Sequence, residues 1–316
     1  MKELIEFINR SFSERTGDIS LQREAWTRLS SQFRPDISQY RSIRPSTLIA
    51  RETGDIGLAV LWIVETFLAR PILSDISLNS EINPVLSGIM SRVDSGSICA
   101  LAHSESRENP AVLSGPDGTL TLRGEKKFIT AGANADLILV SCRNPGEEKV
   151  SRIALLEKKD IPHESLVDLR LDIFKSVNHS KLVLDGLEIG EEAIPSIDPS
   201  LLRRSLKKWG IIERALIMES FISYLIYVNR LFAGKNIIIT TDEELITLEQ
   251  AQGESAGRQI EEAVYAKKVE TQNIPPAGVF TILQRFKEKY AGLKEKFTGT
   301  ERLKLLDLNL FDSMKG

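Results

Sequence analysis

Leu122-Arg-Gly-Glu-Lys-Lys-Phe-Ile-Thr-Ala-Gly-Ala-Asn-Ala-Asp-Leu-Ile-Leu-Val140 reads as two strands joined across an Ala-Gly-Ala-Asn corner. Side chains alternate along a strand, so Phe128 and Thr130 fall on one face and Ile129 on the other. An aromatic ring beside a hydroxyl suits a flat heterocycle that needs stacking and one hydrogen bond. The same spacing also occurs in ordinary strands, so the neighbouring sequence has to decide what it means.

On either side the pattern changes. From Met1 to about Val93 it is helical. Asp18 is placed to cap a helix carrying Ile19, Leu21, Trp26 and Leu29, and Asp55 to cap an apolar helix that Pro71 ends. A shorter helix is expected from Ser80 to Val93, with Pro84 near its start. From about Gly96 to Pro195 the character is β, with short runs at Ile98–Ala102, Thr119–Leu122, Lys127–Thr130, Leu137–Val140, Ile153–Leu156 and Lys181–Leu184. Turn clusters such as Gly115-Pro-Asp-Gly118 and Asn144-Pro-Gly146 separate them, which implies an antiparallel barrel or sandwich.

From Asp198 the chain is helical again. Asp198-Pro199 is a cap and first-turn pair, and Ser200 to Phe232 is apolar on more than one face (Leu206, Ile212, Leu216, Ile222, Leu225, Ile226). Such a helix is expected inside a bundle or across a subunit contact. Thr241-Asp-Glu-Glu244 is a capping box for a helix continuing to about Glu270. Its small residues Ala251, Gly253, Ala256 and Gly257 would let another helix approach. Pro275-Pro276 breaks it, a third helix follows from about Ala277 to Phe297, and a short one is possible at the end. The expected fold class is α+β, in three parts: helical 1–95, an antiparallel β-barrel domain 96–197, and a helical bundle 198–316.

The 316 residues suffice for about two or three folding units. An apolar fraction of 42% with 27% charged residues describes a soluble globular chain. A net charge of -3 gives no electrostatic case for nucleic acid or an anionic membrane. Cys99 and Cys142 lie in apolar runs without metal-ligand spacing and read as buried thiols. The N-terminus lacks a signal-peptide core. Ile56 to Ala69 contains Glu65 and is shorter than the roughly 20 residues of a bilayer span. A cytoplasmic protein with no membrane insertion is expected.

Helical, then β, then helical is the order of the acyl-CoA dehydrogenase family, which the chain resembles most clearly from Gly96 to Phe232. Gly124-Glu-Lys-Lys-Phe-Ile-Thr-Ala-Gly-Ala-Asn-Ala-Asp136 is similar to the family's Gly-x-Lys-x-Trp-Ile-Thr-Asn-Gly-x-x-Ala-Asp. The resemblance implies that Phe128-Ile129-Thr130 lies by the flavin of FAD, with Thr130 hydrogen-bonded to it. Leu169-Arg-Leu-Asp-Ile-Phe-Lys-Ser-Val-Asn-His-Ser-Lys-Leu-Val-Leu-Asp-Gly-Leu-Glu-Ile189 resembles the family's Gly-Leu-Arg stretch and the strand after it, whose exit here is Ile194-Pro195. Arg204 and Gly210 resemble the residues that open the family's bundle. Arg230-Leu-Phe-Ala-Gly234 resembles Arg-x-x-Phe-Gly, whose arginine touches the FAD diphosphate of a neighbouring subunit. Arg230 stands one residue off, and a helix C-terminal cation is its other reading; Phe232 belongs to the same candidate site.

The sequence also departs from the family. Its flavin loop, Thr-Glu-Pro-Gly-x-Gly-Ser-Asp, is replaced by Ala102-His-Ser-Glu-Ser-Arg-Glu-Asn-Pro110, so Ala102 and His103 hold the threonine and glutamate places. Loss of the glycines removes backbone donors for phosphate, for which Ser104, Ser106 and Arg107 are candidate substitutes. His103 is either a general base or a polar loop residue. The family's C-terminal Gly-Gly-x-Gly-Tyr and the glutamate after it have no counterpart, and the alternative place for that base holds Arg203. Glu213, Glu219 and Glu254 read most simply as solvated or capping charges, so the catalytic residue stays unassigned. The helical N-terminal part is shorter than the family's, and the tail that helps hold the adenine end of FAD is lacking.

Three functions remain open at this point. One is a FAD-dependent oxidoreductase acting on an acyl thioester or related substrate, with members that oxygenate needing no α-proton base. Another is a non-catalytic family member serving as partner subunit or scaffold. The third is an unrelated binding protein. A homodimer or homotetramer is expected, or a heteromer with a full-length homologue.

Overall fold

A computed structural model describes residues 2–12, 18–33, 44–81, 83–115, 119–266, 276 and 278–309. Most of the expected Gly115–Gly118 turn, the end of the helix towards Glu270, Pro275 and Ala277 lie outside these residues. The chain divides into two compact units. The first contains 1–63, 171–177 and 211–316; the second contains 64–170 and 178–210.

The first unit is helical: α1 (Lys2–Ser11), α2 (Ile19–Phe33), α3 (Pro45–Thr53), most of α4 (Ile56–Val64), then α8 (Asp242–Glu261), α9 (Val279–Ala291) and α10 (Gly299–Leu305). The long α7 (Pro199–Ala233) supplies residues to both units. Asp18 Oδ1 accepts from the N–H groups of Ser20 and Leu21, and Asp55 Oδ1 from Leu58, so both expected caps form. Thr241 Oγ1 accepts from Glu244 N at 3.1 Å, but the Glu244 carboxylate turns to Thr240 Oγ1, so that capping box closes on one side only. Trp26 and Trp62 stack at 5.8 Å between ring centroids, and Phe232 packs on Phe286 (5.5 Å) and Phe297 (4.9 Å). Lys304 of α10 donates to the Thr53 carbonyl at 2.6 Å and to Tyr227 Oη at 3.0 Å, fastening the C-terminal helix to α3 and α7.

Pro71 does not end the apolar helix. The helical path runs unbroken from Ile56 to Asn79, through a π-helical turn Glu65–Ala69, into α5 (Arg70–Asn79). Arg70 N bonds to the Glu65 carbonyl five residues back, which moves the bonding frame just before the proline whose N–H is missing. By length and composition Ile56–Asn79 could cross a membrane, and 89% of its most apolar window is buried.

The second unit holds α5, α6 (Pro84–Asp94) and seven strands: β1 (Cys99–Ala102), β2 (Val112–Ser114), β3 (Leu120–Thr130), β4 (Leu137–Cys142), β5 (Arg152–Glu157), β6 (Leu166–Asp168) and β7 (His179–Ile189). Asn83, not Ser80, starts α6, its side chain accepting from Val85 N and Leu86 N. The strands make two sheets, ordered β1-β4-β5 and β2-β3-β7-β6. The expected closed antiparallel barrel is therefore corrected. β1 and β4 run parallel, because the chain crosses to the other sheet for β2 and β3 before returning. The described contact that joins the sheets by strand pairing is an isolated bridge between Val112 and Arg143.

The runs 119–122 and 127–130 fuse into one eleven-residue strand. Gly124 makes this possible: at φ +124° it lies against Pro110, whose carbonyl would be 2.1 Å from any Cβ. The Ala-Gly-Ala-Asn corner carries the chain from the second sheet to the first. There Ala131 N bonds to Asn178 O, and Asn134 N and Ala135 N both bond to Ala131 O. Gly132 is needed because a Cβ would sit 2.9 Å from the Ser180 side chain.

Candidate functional site

The β3–β7 pairing slips between Lys126 and Ile129. Before the slip the buried side of β3 holds Leu122 and Lys126; after it, Ile129. Phe128 occupies the bulge at φ +57° and is 59% exposed, while Thr130 is half-buried on the same outward side. The two expected neighbours thus share a face, but a bulge puts them there, and simple alternation from Leu122 would have buried Phe128. Thr130 Oγ1 stands 3.5 Å from His179 Nδ1 on β7.

The 103–110 loop runs beside this segment: Lys127 N bonds to Ser104 O (2.8 Å) and Glu125 N to Asn109 O (3.1 Å). His103 is exposed, yet its Nδ1 reaches inward to Ser141 Oγ at 2.9 Å. Ser141 also accepts from the buried Lys126 ammonium at 3.2 Å, and Lys126 is paired with Glu105. Glu105 Oε2 accepts from Ala111 N as well, with Arg143 at 3.7 Å from its other oxygen. Desolvation holds the Lys126 pKa below the usual lysine range against the pull of Glu105. Partial desolvation and then the Lys126 charge hold His103 below its ordinary value, against Glu105. Ser106 Oγ accepts from Asn109 N, so of the three substitutes for the lost glycines only Arg107 and the Ser104 side chain keep their polar groups outside the described loop bonds.

The other sequence candidates separate. Ala102 and Ile129 are 0% exposed and present no surface to a ligand. Arg230 lies in the helical unit, 3.7 Å from Glu52 and 3.5 Å from Asp242, on the exposed end of α7 as its helix-terminal reading expected. Phe232 is corrected to a core residue: it is 0% exposed, enclosed by Phe286 and Phe297. Arg203 donates to the Val150 carbonyl at 3.0 Å. Glu219 is not solvated: fully buried, it pairs with Arg44 at 2.7 Å. Glu254 is exposed, and removal from water pushes the half-buried Glu213 up to about 7, with Arg214 opposing. Sequence reasoning missed Lys126, Glu105 and Ser141; a lysine in a strand reads as outward, and nothing in the spacing marks a buried partner.

Buried titratable groups occur in the same unit away from this face. Glu65, in the π turn, accepts from Cys99 N with both oxygens (3.1 and 3.0 Å), and Asp136 accepts from Ile98 N at 2.9 Å. Arg70 donates to the carbonyls of Val93 and Ser97 and stands 3.9 Å from Glu65. The entry to β1 is thus held by side chains. Burial raises Glu65 to about 8 and Cys142 to about 12, and Cys99 well above its ordinary value. Both cysteines are buried free thiols.

No family model matches the chain, and no curated protein does. Solved structures do. Butyryl-CoA dehydrogenase from Megasphaera elsdenii is similar at a TM-score of 0.65 with 13% identity, over 98% of this chain and 92% of that one. FkbI, described for biosynthesis of a methoxymalonyl extender unit, is similar at 0.66 with 14% identity, over 100% and 94%. An acyl-CoA dehydrogenase from Bacillus anthracis complexed with FAD is similar at 0.63 with 14% identity, over 98% and 64%. The chain therefore has an acyl-CoA dehydrogenase-like fold. At such identities the likeness defines the fold and leaves function to the site.

Proposed function

We propose that the protein is a FAD-dependent oxidoreductase of the acyl-CoA dehydrogenase type, acting on an acyl thioester or a related small molecule. One observation carries this reading: Phe128 is held at positive φ and is mostly exposed. A bulky residue in that region costs on the order of 1–3 kcal/mol, and an exposed ring recovers little of it by burial. Strain kept at an aromatic that the fold does not bury is accounted for by a ligand that covers it.

The residues at the ring end fit a flavin. Phe128 offers a face for stacking, and Thr130 a hydroxyl on the same side for one hydrogen bond. When bound, the flavin would supply the acceptor for a hydride. Fit at the phosphate end is weaker, resting on Arg107 and Ser104 in place of a glycine-rich loop. The reading extends to a homo-oligomer, although α7 does not demand one: Leu206, Ile212, Leu216, Ile222, Leu225 and Ile226 are all buried within a single chain. The test is the visible absorbance of freshly purified protein, followed by FAD titration of wild type and Phe128→Ala. Flavin absorbance or saturable binding that the substitution weakens is expected. Colourless protein that binds no added FAD overturns the reading.

A non-catalytic partner subunit is favoured by a separate observation. The carboxylate nearest the exposed face, Glu105, is already committed to Lys126 and Arg143, leaving no assigned base there. Bound flavin that is reduced and reoxidised with a substrate would sink this second reading.

A further inference from the structure

The bonds behind His103 can be counted proton by proton. Lys126 is 0% exposed, and its ammonium has three protons and three oxygen neighbours: Glu105, Ser141 Oγ at 3.2 Å and the His103 carbonyl at 3.3 Å. All three are donated, since an ammonium accepts nothing. Ser141 Oγ therefore receives one proton from Lys126 and has one of its own to place. Its choices are His103 Nδ1 at 2.9 Å and the Ala102 carbonyl at 3.5 Å, the limit of a hydrogen bond. The shorter contact wins, and a hydroxyl that accepts from a cation is a stronger donor in turn.

We infer that Lys126, acting through Ser141, holds His103 as the Nε2–H tautomer, so that its outer nitrogen is a hydrogen-bond donor for an oxygen acceptor on a ligand seated beside Phe128. The position agrees with this role: Ser104, next to His103, bonds through its carbonyl to Lys127, next to Phe128. The charged groups around the ring act together. Lys126 and Arg143 oppose an added proton on His103, Glu105 partly offsets them, and the neighbouring Cys142 thiol stays protonated. His103 is thereby a donor without being a cation or a base, and replaces one of the backbone donors that a glycine-rich loop would have supplied. The tautomer follows from the protein alone; taking the acceptor as a flavin carbonyl or phosphate oxygen rests on the function proposed above.

Nitrogen-15 NMR of the imidazoles tests the first half directly. The chain has three histidines, so His103→Gln assigns the signal by its loss. At pH 7 the His103 Nε2 should be protonated and Nδ1 bare. Ser141→Ala, which removes one hydroxyl and leaves the Lys126–Glu105 pair intact, should move the ring towards a tautomer mixture and raise its titration midpoint. Protonated Nδ1 in the wild type, or a Ser141→Ala spectrum identical to it, overturns the inference. The second half is read by titrating His103→Ala with FAD and with riboflavin, which lacks phosphate. Binding about five- to tenfold weaker, one hydrogen bond's worth, is expected. A loss for both ligands assigns the acceptor to the ring, a loss for FAD alone assigns it to phosphate, and no loss refutes the donor role. If wild type binds neither flavin while the tautomer is as inferred, the proposed function and the ligand fall and the relay stands.

Discussion

Thr130 Oγ1 lies 3.5 Å from Nδ1 of His179, its partner in the β3–β7 register. The imidazole is 5% exposed, and desolvation lowers its pKa to about 4. A neutral ring therefore stands beside the hydroxyl at the candidate site throughout the physiological range.

That ring sets an acid limit on the fold. Between the ordinary histidine value near 6.5 and about 4, the unfolded chain binds a proton that the folded chain excludes. Stability is full above about pH 6.5 and falls as pH drops, by roughly 3 kcal/mol over the interval. His179→Gln should flatten melting temperature against pH in this window. A wild-type curve with no fall there, or one the variant reproduces, would count against a buried neutral His179.

Glu65 acts in the opposite direction. Its folded pKa of about 8 means that the folded chain keeps a proton which the unfolded chain releases above the model value of 4.5. Stability from this group is greatest below 4.5 and is lost as pH rises through 8. Glu65→Gln keeps an acceptor for Cys99 N and removes the ionisation, so it should stabilise by roughly 2 kcal/mol at pH 8 and by little at pH 5. Urea unfolding at the two pH values checks this, and equal effects at both would show that ionisation is not the cause.

Phe128 offers a separation of strain from stacking. Phe128→Gly relieves the positive φ and Phe128→Ala does not, so the glycine variant should be the more stable by about 1 kcal/mol. Both should lose flavin affinity. Equal melting temperatures for the two would mean that the bulge stores no strain.

Gly253 of α8 leaves room for the Arg44–Glu219 pair: a Cβ there would lie 2.3 Å from Arg44 Nη1 and 2.6 Å from Glu219 Oε1. Alanine normally gains about 1 kcal/mol over glycine in a helix. Gly253→Ala should instead destabilise, because it displaces a carboxylate that is 0% exposed. A gain in denaturation midpoint would show that the ion pair moves aside without cost.

Much of the frame could be read from sequence. Capping at Asp18, Asp55 and Asp198 depends on neighbours two or three residues away, as does the run Ser200–Phe232 seen as Pro199–Ala233; local chemistry of that kind is visible in one dimension. Contacts across the chain were not. Glu219 looked solvated because its partner Arg44 is 175 residues distant. Phe232 looked like part of a cofactor motif, and only the positions of Phe286 and Phe297 make it core. At the candidate site, the pairing of Phe128 with Thr130 was legible, but the buried Lys126 that supports His103 was not, since a phase change inside one strand depends on the register of its neighbour.

The π turn at Glu65–Ala69 has a bearing on deletion. It houses one residue more than an ordinary helical turn, so excising any one of the five would restore regular pitch and wind all that follows by about 100°. Arg70 would swing away from Ser97, Pro71 would meet an intact bonding frame, and Glu65 would lose its aim at Cys99. The chain's tolerance for a missing residue is therefore lowest where a surplus one is stored.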